Sequence, residues 1–216
     1  MRTLTPQDCA LELPELVYDR NKLVDIFEEV KPYARVKSLA WAQPSLNSTA
    51  AAKNVVIQSH DYMMLKEEEQ GGGANLLDFP YIRELVARLD VEVNHTNLDI
   101  MWNRPGFRFW PHVDRWAASV FVWPILSDGE FNPADYYNYS GELVPDSEYR
   151  HLTEADIAYT HNYSNEYATV GNSHIVHGVR LVKNNRIFLR LRTDTPFEVI
   201  REKYHNGSLI LPLNQY

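Results

Sequence analysis

The chain has 216 residues, enough for one domain with a sizeable core and too few for two comfortable ones. At 44% apolar and 23% charged it has the composition of an ordinary globular protein, which excludes disordered and fibrous classes. With 29 acidic against 21 basic residues (net −8 at pH 7) it lacks the basic footprint of a nucleic-acid binder, and its one cysteine, Cys9, cannot close an internal disulfide.

The opening stretch, Met1-Arg-Thr-Leu-Thr-Pro, has no apolar core of a signal peptide, and no run reaches bilayer length. A soluble cytoplasmic protein without membrane contact is therefore expected. Residues 1–18 read as a leading arm or strand. Asp19 then caps a helix running to about Lys31, with Leu23, Ile26, Phe27 and Val30 at helical spacing and Pro32 as its stop. Residues 41–54 read as a loop, 55–58 as a short strand, and Glu67 to Gly73 as a charged, flexible excursion. A second helix follows, with Asp78 as cap, Pro80 in its first turn and Ile82, Leu85, Val86 and Leu89 as its buried stripe.

From there the pattern turns to strands. Residues 97–103 alternate and end in the turn Arg104-Pro-Gly106, and 117–126, 167–170 and 186–191 supply further apolar runs. The polar, tyrosine-rich stretch 128–166 reads as a functional insertion or lid. In the short tail, Leu209-Ile-Leu is expected to dock back on the domain. Helices first and then a run of strands predict an α+β, mainly β fold with an antiparallel core. One domain, 1–216, is expected: a helical support region 1–96, a core 97–192 and a tail 193–216.

Chemistry concentrates in two segments. His112 and Asp114 are separated by one residue, so on a strand their side chains share a face. Two imidazoles and one carboxylate cover one face of an octahedral ion and leave three positions open, the arrangement of non-heme Fe(II) oxygenases. The second imidazole must come from a neighbouring strand. His177 is preferred because an apolar strand and Arg186 follow it, whereas His174 falls in the turn-like Gly171-Asn-Ser-His. Arg186, nine residues beyond His177, is placed to anchor a dicarboxylate, and Arg190 shares its strand face as the alternative. Arg192 reads as a surface residue. Trp110, Trp116 and Trp123 read as packing, and Arg104, Arg108 and Arg115 as solvated residues with a chance of meeting an anionic substrate.

The ordered set His112-x-Asp114, then His177, then Arg186 resembles the Fe(II)- and 2-oxoglutarate-dependent oxygenases over residues 97–192. The segment Gly171-Asn-Ser-His-Ile-Val-His-Gly-Val is most similar to the aspartyl/asparaginyl and free-amino-acid (proline-type) hydroxylases within them. The resemblance implies a double-stranded β-helix (jelly roll, cupin-like) with N-terminal helices packed on one sheet. It implies Fe(II) held by His112, Asp114 and His177, with 2-oxoglutarate and O2 as cosubstrates and ascorbate as an in vitro reductant. It further implies a dioxygenase, an oxidoreductase that hydroxylates an unactivated C–H bond of a free amino acid or a peptide side chain and releases succinate and CO2. A carboxylate at position 114 favours hydroxylation, because related halogenases leave that place open for chloride. Asn97, Asp99, Met101 and Asn103 share one face of their strand, from which some could bond 2-oxoglutarate or orient a ligand. Two other classes are expected to look different. A cupin-like binding module or metal-dependent isomerase carries three or four inward histidines and a Glu, and a structural β-sandwich binds no metal.

Overall fold

The computed structural model describes residues 3–36, 54–58, 75–92, 98–114, 117–126, 133–144 and 149–212. It is mainly β, with two antiparallel sheets and few helices. The chain begins with one turn of helix, α1 (Pro6–Cys9), and an eight-residue strand, β1 (Ala10–Val17). Helix α2 (Arg20–Val30) starts where expected, because the Asp19 carboxylate accepts the backbone N–H groups of Asn21 and Lys22. After β2 (Arg35–Val36) and β3 (Asn54–Gln58) comes α3 (Pro80–Ala87). Phe79, and not Asp78, holds its N-cap position. Asp78 ends a preceding 3-10 turn, Leu76–Asp78, where its carboxylate accepts the Asn75 amide. Of the expected loop 41–54 only Asn54 is described, as the first residue of β3, and the excursion 67–73 lies outside the described residues.

Strands β4 (Leu98–Asn103), β5 (Phe109–His112), β6 (Ser119–Leu126), β7 (Pro133–Tyr137), β8 (Ile157–Asn162), β9 (Tyr167–Asn172), β10 (His177–Val179) and β11 (Arg186–Thr193) complete the two sheets. The larger runs β1-β9-β6-β11-β4-β3-β2 and the smaller β5-β10-β7-β8. The stretch 128–166 is thus more than an excursion. Its apolar Ala134, Tyr136 and Tyr137 give β7 a buried face, and β7 pairs with β8 along five residues to form half of the smaller sheet. The tail holds an element the sequence reading passed over, α4 (Phe197–His205). Its stripe is only Phe197, Ile200 and Tyr204 among charged neighbours, too short to register as a period. Leu209 does dock: it is fully buried, its carbonyl accepts the N–H of Asp90, and Ile210 bridges to Leu89.

Alternation decides which face of the large sheet meets what. In β11, Ile187, Leu189 and Leu191 point to one side and join Phe121, Trp123, Leu98 and Ile100 under the three longer helices. Each such buried aliphatic or aromatic side chain stabilises the fold by roughly 1.5–3 kcal/mol. The other face, with Met101, Val122 and Phe188, meets Phe109 and Val179 of the small sheet. The helices therefore cover one face of the large sheet and the small sheet covers the other. No helix among the described residues is long and apolar enough to cross a membrane.

One buried histidine of the small sheet makes the fold sensitive to acid. His161 on β8 is almost fully enclosed, its ring nitrogens meeting the Tyr159 hydroxyl and the Thr169 hydroxyl, both at 3.3 Å. Burial pulls its pKa down to about 4. The unfolded chain takes up that proton near pH 6.5 and the folded chain only near 4, so stability is full above 6.5 and is lost as pH falls to 4. Urea titrations across that window should show the native chain losing up to about 3 kcal/mol more than His161→Gln. Parallel curves for the two proteins would contradict this.

Candidate metal centre

The two segments that carry the candidate ligands are brought together by strand pairing. β10 lies between β5 and β7, and its first residue, His177, is the Cα partner of His112 on one side and of Tyr136 on the other. Gly178 makes this closeness possible, since a Cβ there would sit 3.0 Å from the carbonyl oxygen of Phe109 and 3.2 Å from the nitrogen of Pro111. A side chain there would press on the β5 backbone, which would have to give by a few tenths of an ångström. The two imidazoles end up 4.4 Å apart between ring centroids.

Asp114 arrives by a different route from the expected one. β5 ends at His112, and Asp114 lies just beyond it, fixed by its N–H donating to the Ser173 carbonyl at 3.1 Å. Its Oδ1 lies 3.5 Å from Nε2 of His112 and its Oδ2 3.9 Å from Nε2 of His177. One donor atom from each of the three residues falls within 4.8 Å of the others, so this group could hold a metal ion.

The imidazoles are oriented for that purpose. Nδ1 of His112 lies 2.7 Å from the Trp110 carbonyl, and Nδ1 of His177 lies 2.9 Å from the Ile175 carbonyl. A carbonyl oxygen only accepts, so each Nδ1 carries the proton and each Nε2 keeps its lone pair facing Asp114. Burial, followed by the neighbouring His112, depresses the pKa of His177 to about 4, which leaves it neutral as a metal ligand must be. Burial opposes ionisation of Asp114. In acid, when protonated imidazoles would face it, the interaction with His112 and the fields of His177 and Arg190 outweigh that burial and hold the carboxyl below the usual carboxylate range. Two neutral nitrogen donors and one anionic oxygen suit a borderline divalent transition metal.

The triad opens on a cavity of about 160 Å³ between the two sheets. On its large-sheet wall the even-numbered residues of β11 appear in series: Arg186, Phe188, Arg190 and Arg192. Arg186 is buried, its Nη1 donates to Asn103 Oδ1 at 3.1 Å, and its guanidinium lies 4.3 Å from the Phe188 ring centre. Its buried Nε has no hydrogen-bond partner among the described residues. Burial lowers its pKa to about 10, so it remains cationic at neutral pH. Arg190 is committed elsewhere: Nε and Nη2 grip the two oxygens of Asp99 at 2.8 Å each, a bidentate fork. Asp99 also takes Nη2 of Arg192 at 3.1 Å.

Of the residues singled out from the sequence, His112, Asp114 and His177 are brought together, and Arg186, Arg190, Asp99 and Met101 line the same cavity. His174 is exposed, its N–H bound to the Asn172 side chain. Asn97, Arg115 and Trp116 lie outside the described residues. Trp123 packs under the helices, and Arg104 and Arg108 cover Trp102 and Trp110. Arg192 lines the cavity and is no simple surface residue, because an even step from Arg186 keeps it on the inner face. Tyr136 and Tyr163 were missed as cavity residues, one on β7 and the other just after β8. Their stretch lacks a clean alternation that would have marked it as sheet. No family model and no curated protein matches this chain.

Equilibrium dialysis against Mn(II) or Co(II) should find one tightly held ion per chain. His112→Ala, Asp114→Ala and His177→Ala should each lose at least tenfold in affinity, while His174→Ala stays near the unaltered value. Loss with His174→Ala and retention with His177→Ala would contradict the assignment.

Proposed function

We propose that the chain is an Fe(II)- and 2-oxoglutarate-dependent hydroxylase built on a jelly roll. The observation that carries this reading is the triad lying in one cavity with a buried arginine that has donors to spare. The strand order supports the jelly roll. From β4 onward each strand crosses to the other sheet, save at the hairpin of β7 and β8, so that β4, β11, β6 and β9 lie side by side in one and β5, β10, β7 and β8 in the other. That is the order of a long hairpin folded across a sandwich.

The donor set fits iron. Two imidazole nitrogens and one carboxylate leave coordination places for an oxygen-donor cosubstrate and dioxygen, and no soft sulfur ligand is among them. Iron with 2-oxoglutarate and O2 would supply the oxidising power to hydroxylate a C–H bond, with succinate and CO2 released. The chain's own residues do the rest. The two backbone carbonyls fix the imidazoles, and Ser173 fixes Asp114. Arg186, steered by Asn103, offers its fork to the far carboxylate of 2-oxoglutarate. Arg190 is the weaker candidate for that task, since both edges of its fork toward Asp99 are filled. Met101, Phe109, Val122, Val179 and Phe188 make the walls apolar and keep water from the reacting centre.

A cupin-like isomerase or sugar-binding module fits less well. It expects three or four inward histidines with a Glu, whereas the group here is two histidines and an aspartate. A structural sandwich gives no reason for three ligating atoms to converge.

Purified protein given Fe(II), ascorbate and 2-oxoglutarate should release succinate slowly even without substrate. Arg186→Gln should raise the 2-oxoglutarate concentration needed for half-saturation at least tenfold, and Asp114→Ala should abolish release. Absence of both succinate and a calorimetric signal for 2-oxoglutarate in the unaltered chain would overturn the reading.

A further inference from the structure

The described lining of the cavity holds more positive charge than the proposed cosubstrate requires. It carries three guanidiniums, Arg186, Arg190 and Arg192, against two carboxylates, Asp99 and Asp114. One positive charge is left over. A divalent metal and a dianionic cosubstrate cancel each other, so the same surplus remains after both are bound. A low-dielectric cavity with an unbalanced cation favours a monoanionic guest.

The surplus can be traced to one residue. Arg190 is neutralised by its two-bond grip on Asp99. Arg186 faces the cosubstrate in the reading above. Arg192 shares Asp99 only through Nη2, at 3.1 Å, and its buried Nε has no hydrogen-bond partner among the described residues. An unmatched guanidinium N–H in such a place costs free energy that an incoming carboxylate would recover.

Register places Arg192 at the right end of the cavity. Arg192 is opposite Val120 on β6, and Val120 is opposite Gly171 on β9. Two residues beyond Gly171, the Ser173 carbonyl receives the N–H of Asp114. Arg186 pairs instead with Asn103, six residues away along β11, about 20 Å at the rise of a strand. Two cationic posts thus stand at opposite ends of one strand face, and the triad lies between them, opposite Arg190, whose field reaches Asp114 and His177.

Resting on the hydroxylase reading, we infer that Arg192 anchors a carboxylate of the substrate, so that the substrate is a small organic acid such as a free amino acid and not an internal side chain of a folded protein. Asp99 is the positioning residue: it holds Arg190 and Arg192 side by side and keeps their guanidiniums aimed into the cavity.

The test is ligand-observed NMR on the full chain loaded with Zn(II) and 2-oxoglutarate, using the twenty free L-amino acids and the carboxamide of each. At least one acid should bind saturably, and its carboxamide at least tenfold more weakly. Arg192→Gln should lower affinity for that acid at least tenfold and erase the difference between acid and amide, while Arg192→Lys should keep part of both. Equal binding of acid and amide, undiminished acid binding by Arg192→Gln, or no binding by any acid would overturn the inference. If Arg192→Gln fails to fold, seen in its melting curve, the acid–amide comparison on the unaltered chain decides. Calorimetry of 2-oxoglutarate on the same samples separates the two ideas. Acid recognition without 2-oxoglutarate binding would sink the hydroxylase and leave the anchor, and the reverse would sink the anchor alone.

Discussion

The antiparallel pairing of β10 with β5 is the constraint on which the rest depends. It makes His177 the cross-strand neighbour of His112, and Gly178 eases it, since a Cβ there would crowd Phe109 and Pro111. Two backbone carbonyls, of Trp110 and Ile175, then take up the Nδ1 protons, so both Nε2 atoms face the same space. Each tether comes from the residue two positions earlier on the same segment. The tautomer and orientation of each imidazole are therefore set by local backbone, while strand pairing brings the two rings together.

The large sheet divides its labour by parity. Odd and even positions of β11 differ completely in character: Ile187, Leu189 and Leu191 bind the sheet to its helices, while Arg186, Phe188, Arg190 and Arg192 face the cavity. Gathering three arginines so close together, one of them buried, would be costly without Asp99, which lies opposite Arg190 on β4 and is itself almost wholly enclosed. Asp99 satisfies one guanidinium and part of another. The incompletely matched groups, Arg186 and Arg192, are the two that face the ends of the pocket. A polar core that leaves some donors open is poor for stability and well suited to binding.

Much of this was legible in the sequence where short-range physics decides. Asp19 and the 23-26-27-30 stripe predicted α2 because capping and helical period act within a few residues. The ordered set His112-x-Asp114, His177 and Arg186 marked the site through its resemblance to a known motif, and alternation along one strand put Arg190 on the face of Arg186. What failed was long-range or marginal. Residues 133–137 and 157–162 are sheet only because they find each other and β10, a pairing no local pattern announces. Arg192 looked like surface because a charged residue at a strand end usually is, and only its partner Asp99, some ninety positions away, draws it inward. Asp114 reached the expected place by a turn pinned to Ser173, a contact invisible before the strands are arranged.

The central claim is that His112, Asp114 and His177 jointly hold one iron. A crystal grown anaerobically with Fe(II) and measured across the iron absorption edge tests it most directly. The account predicts a single anomalous peak at about 2.0–2.2 Å from Nε2 of both histidines and from a carboxylate oxygen of Asp114, the usual range for such donors on a divalent transition ion. A peak elsewhere in the chain, or none at all among these three side chains, would contradict it.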